Sequence, residues 1–316
     1  MANEYFIPSS IDAVLATTIA DYSKTMTDNI YNSNVLLKLL SDRKRLINGG
    51  TSIVYPLIKA DQNNGGFYLA AGVLNTNQTD TETLVEFRWQ NAYEPIQLTR
   101  DEERQNSGDE HKIIDLASEK MQRSELAISK RLEQALSTPV AGANNLIDLE
   151  TLVNTGTLGT IAGGTDTFWQ STVTASGSFA AQGLSDMTTA TYAVASAADI
   201  DTPTVYITEK TTFQRFEQTR LPLERIQNGN LSANSGFRNL TFKGVPLVYG
   251  NFISSGLIFG LNMNYIDFCV DTETDFVTTP FVMPVNQTAK VAFVLFRGNM
   301  VTNNRRRHFK LTGVTA

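Results

Sequence analysis

The sequence predicts an α+β protein organised along one long helix, and three stretches carry that reading. Ser107 to Thr138 reads as one long helix, free of Gly and Pro from Asp109 onward, and Ile113, Ala117, Met121, Ile128, Leu132 and Leu136 recur every three, four or seven residues. That spacing lays one apolar stripe along a helix. Leu84 to Gln90 alternates, with Val85, Phe87 and Trp89 on one side and Glu86, Arg88 and Gln90 on the other, the period of a strand. Lys290 to Phe296 is apolar on both faces, as a central sheet strand should be.

In chain order, residues 1–48 read as an N-terminal arm. Ile11, Val14, Leu15, Ile19 and Tyr22 mark one face of a short amphipathic helix, Val35 to Leu40 adds a second apolar cluster, and Gly49-Gly50 closes the arm. A helix this short is marginal alone in water, so Ile11, Val14, Leu15 and Ile19 are expected to dock on their own or an adjacent subunit. Residues 49–100 read as a long two-stranded hairpin. Thr51 to Ile58 is β-rich, its Pro56 suits an edge strand, and a Gly, Asn and Thr-rich tip separates it from Leu84 to Gln90. Isolated ribbons are marginally stable; the stripe Val85, Phe87 and Trp89 is therefore expected to lie on another subunit.

Tyr93 to Glu103 reads as an extended lead-in to the long helix. Ser107 and Glu110 form a Ser-x-x-Glu capping box, and about 30 residues at ~1.5 Å each make a rod of roughly 45 Å. Beyond it, Thr155 to Gly164 is a Gly/Thr-rich loop ending on Phe168-Trp169. No Lys follows it and no helix clearly opens at its end, so it reads as a structural loop and not a phosphate cradle. Gly183 to Ala198 and Lys210 to Arg220 read as helices, Thr204 to Thr208 and Leu240 to Tyr249 as strands. Gly256 to Val270 reads as a strand pair, and Phe309 with Leu311 marks a last strand after the Asn303-Asn304 turn.

Composition narrows the function classes. With 316 residues, 41% hydrophobic and 18% charged, the chain can build one large or two medium domains with a real core. Net charge is −6 with no polybasic tail, against a dedicated nucleic-acid reader. The one cysteine, Cys269, sits in an apolar run and reads as a buried structural thiol. There are two histidines, His111 and His308, and no Gly-x-Ser-x-Gly, Cys-x-x-Cys, His-Glu-x-x-His or Walker-type loop. Nothing points to a catalytic residue, a cofactor or a metal; an enzyme would have to work through carboxylates alone.

The order of these parts resembles the major capsid proteins of tailed double-stranded DNA bacteriophages, the HK-ninety-seven capsid fold. Three local stretches carry the likeness: Gly156-Thr157-Leu158-Gly159-Thr160-Ile161 running to Phe168-Trp169, Asn239 to Val248 with Phe242-Lys243-Gly244-Val245-Pro246, and Gly256 to Asn262. The ending, Gln287 to Phe296 with Gly298 and Arg305-Arg306-Arg307, resembles that family's last two strands. The resemblance implies an arm (1–48), an extended loop (49–100), a peripheral domain with the spine helix (101–180) and its return strands (269–316), and an axial domain (181–268). It implies no enzyme but a self-assembling virion subunit, forming pentamers and hexamers of an icosahedral shell around nonspecifically contacted double-stranded DNA. A portal, a possible decoration protein and no membrane complete the expected partners, with assembly in the host cytoplasm. Only 48 residues precede the hairpin, so a separate scaffolding protein is expected, without a cleaved propeptide. A nanocompartment shell of the same fold and a carboxylate hydrolase are the alternatives. Some relatives link a hairpin lysine to a neighbour's asparagine; Lys59 is the hairpin's one lysine, and a solvated side chain is its simpler reading. Arg305 and Arg307, placed on one face of the final strand by alternation, are expected to pair across a subunit interface, for example with Asp101, Glu102 or Glu103.

Overall fold

A computed structural model of the chain describes residues 35–61, 63–68, 70, 72, 74–75, 77, 79–105, 110–140, 142, 144–196, 201–227, 240–285 and 287–315. Ile11, Val14, Leu15 and Ile19, and the capping residue Ser107, lie outside them. The chain mixes helices and strands, as expected, in two compact units.

The first unit contains residues 35–49, 90–148 and 267–300. Its spine is the helix Glu110–Ser137, 28 residues long. Ala117, Met121, Ile128, Leu132 and Leu136 are all buried, so the apolar stripe faces the core. The helix lies along the strand Gln90–Thr99: Lys120 Nζ donates to the Gln97 carbonyl at 2.7 Å, and Ser124 Oγ to that of Pro95 at 3.4 Å. That strand pairs antiparallel with Ala289–Thr302 from Ala289↔Thr99 to Gly298↔Gln90. Ile96 and Leu98 point to the core beside Ala292, Val294 and Phe296, while Tyr93, Gln97 and Phe293 are exposed. The lead-in is not extended throughout. It turns at Thr99 into the helix Arg100–Gln105, with a capping box in which Glu102 accepts from Thr99 N–H at 2.9 Å. Lys120 and these Thr99 hydrogen bonds hold the Glu102 carboxyl down at about 2.

The end of the expected arm is part of this unit. Leu36, Leu37 and Leu40 of the helix Val35–Ser41 are buried, and Lys44–Ile47 pairs parallel with Ile266–Asp271. The helix is held by Glu133 of the spine, whose two carboxylate oxygens accept from Leu36 N–H at 3.2 Å and Leu37 N–H at 3.0 Å. First-turn amides of a helix have no partner within it. Here a buried carboxylate from 96 residues away supplies one.

The second unit contains residues 50–89, 149–266 and 301–315. Its sheet has six strands in the order Thr172–Ala175, Phe309–Thr312, Ile258–Leu261, Val205–Thr208, Val245–Tyr249, Thr241–Phe242. Among the described residues its long helices are Leu184–Val194 and Lys210–Gln227, and the core gathers Phe179, Met187, Val194, Tyr206, Phe216, Phe242 and Phe309. Two expectations change here. The final strand pairs with Thr172–Ala175 and Ile258–Leu261, so 301–315 leaves the block 269–316, and the unit's body begins at 149, not 181. Ile258–Leu261 and Ile266–Asp271 are not a pair either; they belong to different sheets.

Candidate assembly surface

The hairpin strands Ser52–Ile58 and Glu82–Arg88 pair antiparallel, Ser52 opposite Arg88 and Ile58 opposite Glu82. Alternation divides the ribbon into two faces. Ile53, Tyr55, Leu57, Val85 and Phe87 are buried. Val54, Ile58 and Leu84 on the other face are 46%, 78% and 57% exposed.

The covering of the buried face is local to the second unit. The Gly/Thr-rich loop folds into a two-stranded turn, Leu158 opposite Ile161, with Gly159 at φ +64°. A Cβ on Gly159 would lie 2.7 Å from both the Glu86 carbonyl oxygen and Val85 Cγ2. The loop therefore sits directly on the hairpin root, and Glu86 N–H donates to Thr160 Oγ1 at 3.2 Å. Trp169 Nε1 in turn donates to the Leu158 carbonyl at 3.1 Å. This corrects the assignment of Val85 and Phe87 to a neighbouring subunit, since the chain buries them itself; Trp89 is half-buried.

Behind the loop, Arg305–Arg307 forms a 3-10 turn, not the start of a strand. Arg305 is 1% exposed. Its Nε donates to the Leu152 carbonyl (2.7 Å), Nη1 to Gly156 (2.5 Å) and Trp169 (3.2 Å), and Nη2 to Thr151 (2.7 Å). Burial pushes its pKa down to about 10, which leaves it cationic at neutral pH. The expectation of an intersubunit Arg305 is corrected too: its donors are taken by carbonyls of its own chain. Arg307 donates to the Val194 carbonyl at 2.8 Å and lies 3.5 Å from Asp201. Arg306 points outward, exposed, into a cleft of about 730 Å³ lined also by Pro56, Ile58, Phe168, Ala195 and Asn304.

His308 is fully buried. Its Nδ1 accepts from Asn262 N–H and its Nε2 lies against Thr302 Oγ1, each at 3.2 Å. Burial, and then the charge of Arg305, press its pKa to about 3. The folded state therefore binds fewer protons than the unfolded one between an unfolded value near 6.5 and about 3, and stability falls as pH falls through that window. At pH 4.5 His308 alone removes about 3 kcal/mol relative to pH 7. Burial raises the carboxyls of Glu125 and Glu133, which acts in the opposite direction. Urea midpoints of wild type and His308→Gln at pH 7 and 4.5 isolate the histidine: the variant should lose less stability on acidification by that amount.

The other candidates resolve simply. Lys59 is hydrogen-bonded to Asp80 across the ribbon, and Cys269 is a buried free thiol. Among the described residues no group of three His, Cys, Asp or Glu could hold a metal, and no helix is long and apolar enough to cross a membrane. Sequence reasoning missed the exposed apolar set Val54, Ile58, Leu84, Phe67 and Tyr68. Its signal was present, because Thr51 to Ile58 is apolar on both faces of its alternation.

One α+β unit carries the hairpin and the other the long spine helix, and the solved structures that share this fold are phage capsids. No protein-family model matches the sequence and no curated protein is similar to it; solved structures are. A subunit of the cyanophage A-1(L) capsid superimposes with a TM-score of 0.66 at 17% identity, over 90% of this chain and 95% of that one. The capsid of the empty GTA particle gives 0.60 at 10% identity, over 87% and 96%. A chain of Mycobacterium phage Adephagia gives 0.55 at 14%, over 88% and 90%.

Proposed function

We propose that this chain is a non-enzymatic structural protein, the major capsid subunit of a double-stranded DNA bacteriophage, assembling as pentamers and hexamers into an icosahedral shell. The observation that carries the reading is the outward face of the hairpin. Val54, Ile58 and Leu84 stand on a ribbon whose other face is already filled, and Phe67 at the tip is fully exposed. Exposed apolar side chains gathered on one face in this way mark an interaction site. On a capsid fold the natural occupant is a further copy of the chain. In this reading the first unit is peripheral, the body of the second is axial, and a separate scaffolding protein and a portal act during assembly. The net charge of −6 suits loose contact with a genome that brings its own counterions. The intersubunit arginine is Arg306, exposed at the cleft, in place of Arg305.

Electron microscopy of particles from cells expressing the chain should show closed shells with five- and six-fold capsomers. Ile58→Glu with Leu84→Glu should cut shell yield at least tenfold, yet shift subunit stability by no more than about 0.5 kcal/mol, since both side chains are exposed. Discrete monomers from the wild-type chain, or normal shells from the variant, would contradict the proposal. Double-stranded DNA inside native particles distinguishes a virion from a cargo shell.

A further inference from the structure

We propose that the Arg305–Arg307 turn is an acid-sensitive latch on the hairpin root: protonation of the buried His308 opens the turn into the adjacent cleft and frees the Gly/Thr-rich loop from Val85 and Phe87, while the sheets stay folded. The latch belongs to one chain and stands whether or not the chain builds shells. The ring it turns on has no place for a second proton. His308 Nδ1 accepts from Asn262 N–H, so Nε2 carries the hydrogen and donates to Thr302 Oγ1, whose own hydrogen goes to the Tyr265 carbonyl at 2.8 Å. A proton on Nδ1 would set N–H against N–H. The charged groups on the turn, on its strand and on the segments packed against them are Arg305, Arg307 with Asp201, and Lys310, whose Nζ donates to the Glu150 carbonyl at 3.3 Å. Among the described residues only Arg305 acts on the ring, and it opposes protonation.

Opening is easiest at the turn. Its closing bonds are long, Arg307 N–H to the Asn304 carbonyl at 3.3 Å and His308 N–H to that of Arg305 at 3.4 Å, and Asn304 gives it no side-chain cap. Arg306 and Arg307 already line the cleft of about 730 Å³, which gives the turn room to swing outward. Local openings cost less than global unfolding, and in the open turn the ring takes its proton near the ordinary value of a histidine. The closed turn binds fewer protons, so opening is favoured as pH falls from about 6.5 toward 3. The effect then reaches the hairpin. When Arg305 withdraws, the Gly156 and Trp169 carbonyls lose their donor, and these flank the loop that Trp169 holds through Leu158 and that Gly159 seats on Val85 and Glu86.

Hydrogen exchange read by mass spectrometry on the full chain at pH 7 and 4.5, corrected for the intrinsic exchange rate, tests this. In the wild type, segments 52–58, 82–88 and 156–162 should exchange at least tenfold faster at pH 4.5, while 117–136 of the spine and 258–261 of the sheet keep their protection. His308→Gln, neutral at both pH values, should abolish the difference; His308→Asn serves as a second neutral side chain if glutamine does not fold. Asp201→Asn, which removes the carboxylate beside Arg307, should leave the acid response in place. A response of equal size in the neutral variants would assign it to another group and overturn the proposal. Loss of protection in all five segments together would overturn it too, by showing global unfolding and no latch. Should neither neutral variant fold, the wild-type profile decides: release of the hairpin root at pH 4.5 with the spine protected upholds the latch, and a hairpin root still protected there defeats it.

Discussion

Replacing Arg305 by Met should lower subunit stability by about 4 kcal/mol, a large fraction of the roughly 5–15 kcal/mol that holds an ordinary domain folded. The side chain is almost completely buried, and its guanidinium satisfies four carbonyls from Thr151, Leu152, Gly156 and Trp169. Methionine has similar length and no donors, so those carbonyls become orphans at about 1–3 kcal/mol each. Partial solvation of the Gly156 and Thr151 groups keeps the total below the simple sum. Arg305→Lys retains the charge but offers a point donor where a planar fork is needed, and should cost about half as much. Arg306→Met, one residue away and exposed, should change stability by less than about 0.5 kcal/mol. Urea unfolding of the three variants, followed by circular dichroism, gives the ordering; equal effects at 305 and 306 would refute the packing argument.

Gly159→Val should destabilise the second unit by about 3 kcal/mol and loosen the hairpin root. Two costs combine. The residue sits at φ +64°, where a β-branched side chain is strained by about 1–2 kcal/mol. Its Cβ would also stand 2.7 Å from the Glu86 carbonyl oxygen and Val85 Cγ2, so backbone has to separate. Gly159→Ala carries the same clash with one methyl group and should fall between wild type and valine. Gly164, with open space around its Cβ and no positive φ, tolerates Ala within about 0.5 kcal/mol. Limited trypsin digestion reads the same effect locally: cleavage at Lys59 and Arg88 should accelerate in Gly159→Val under conditions where the bulk of the subunit remains folded.

Periodicity by itself determined the long helix and its buried stripe, the alternation at Leu84 to Gln90, the covered strand at Lys290 to Phe296 and the buried Cys269. Each is a local pattern, set by 3.6-residue or two-residue repeats that the backbone imposes wherever the segment finds its partner. The order of those elements was also enough to indicate a phage-capsid fold.

Which face of the hairpin is covered was decided by tertiary structure alone. Alternation separates Val85 from Leu84 but does not say which side meets a neighbour, and both sides of Ser52–Ile58 are apolar. The choice falls to a glycine turn some 70 residues later, because only a residue without a Cβ lets Leu158–Ile161 approach the Glu86 backbone. The same holds for the three adjacent arginines. Their charge suggested a partner of opposite sign, whereas among the described residues Arg305 pairs with no carboxylate and lies among carbonyl dipoles from residues 151–169. Glu133, spaced like any polar residue of a helix, is buried because the amides of Leu36 and Leu37 come to it. Long-range hydrogen bonding of backbone groups leaves no mark on side-chain pattern, and that is where this chain keeps the support of its candidate assembly surface.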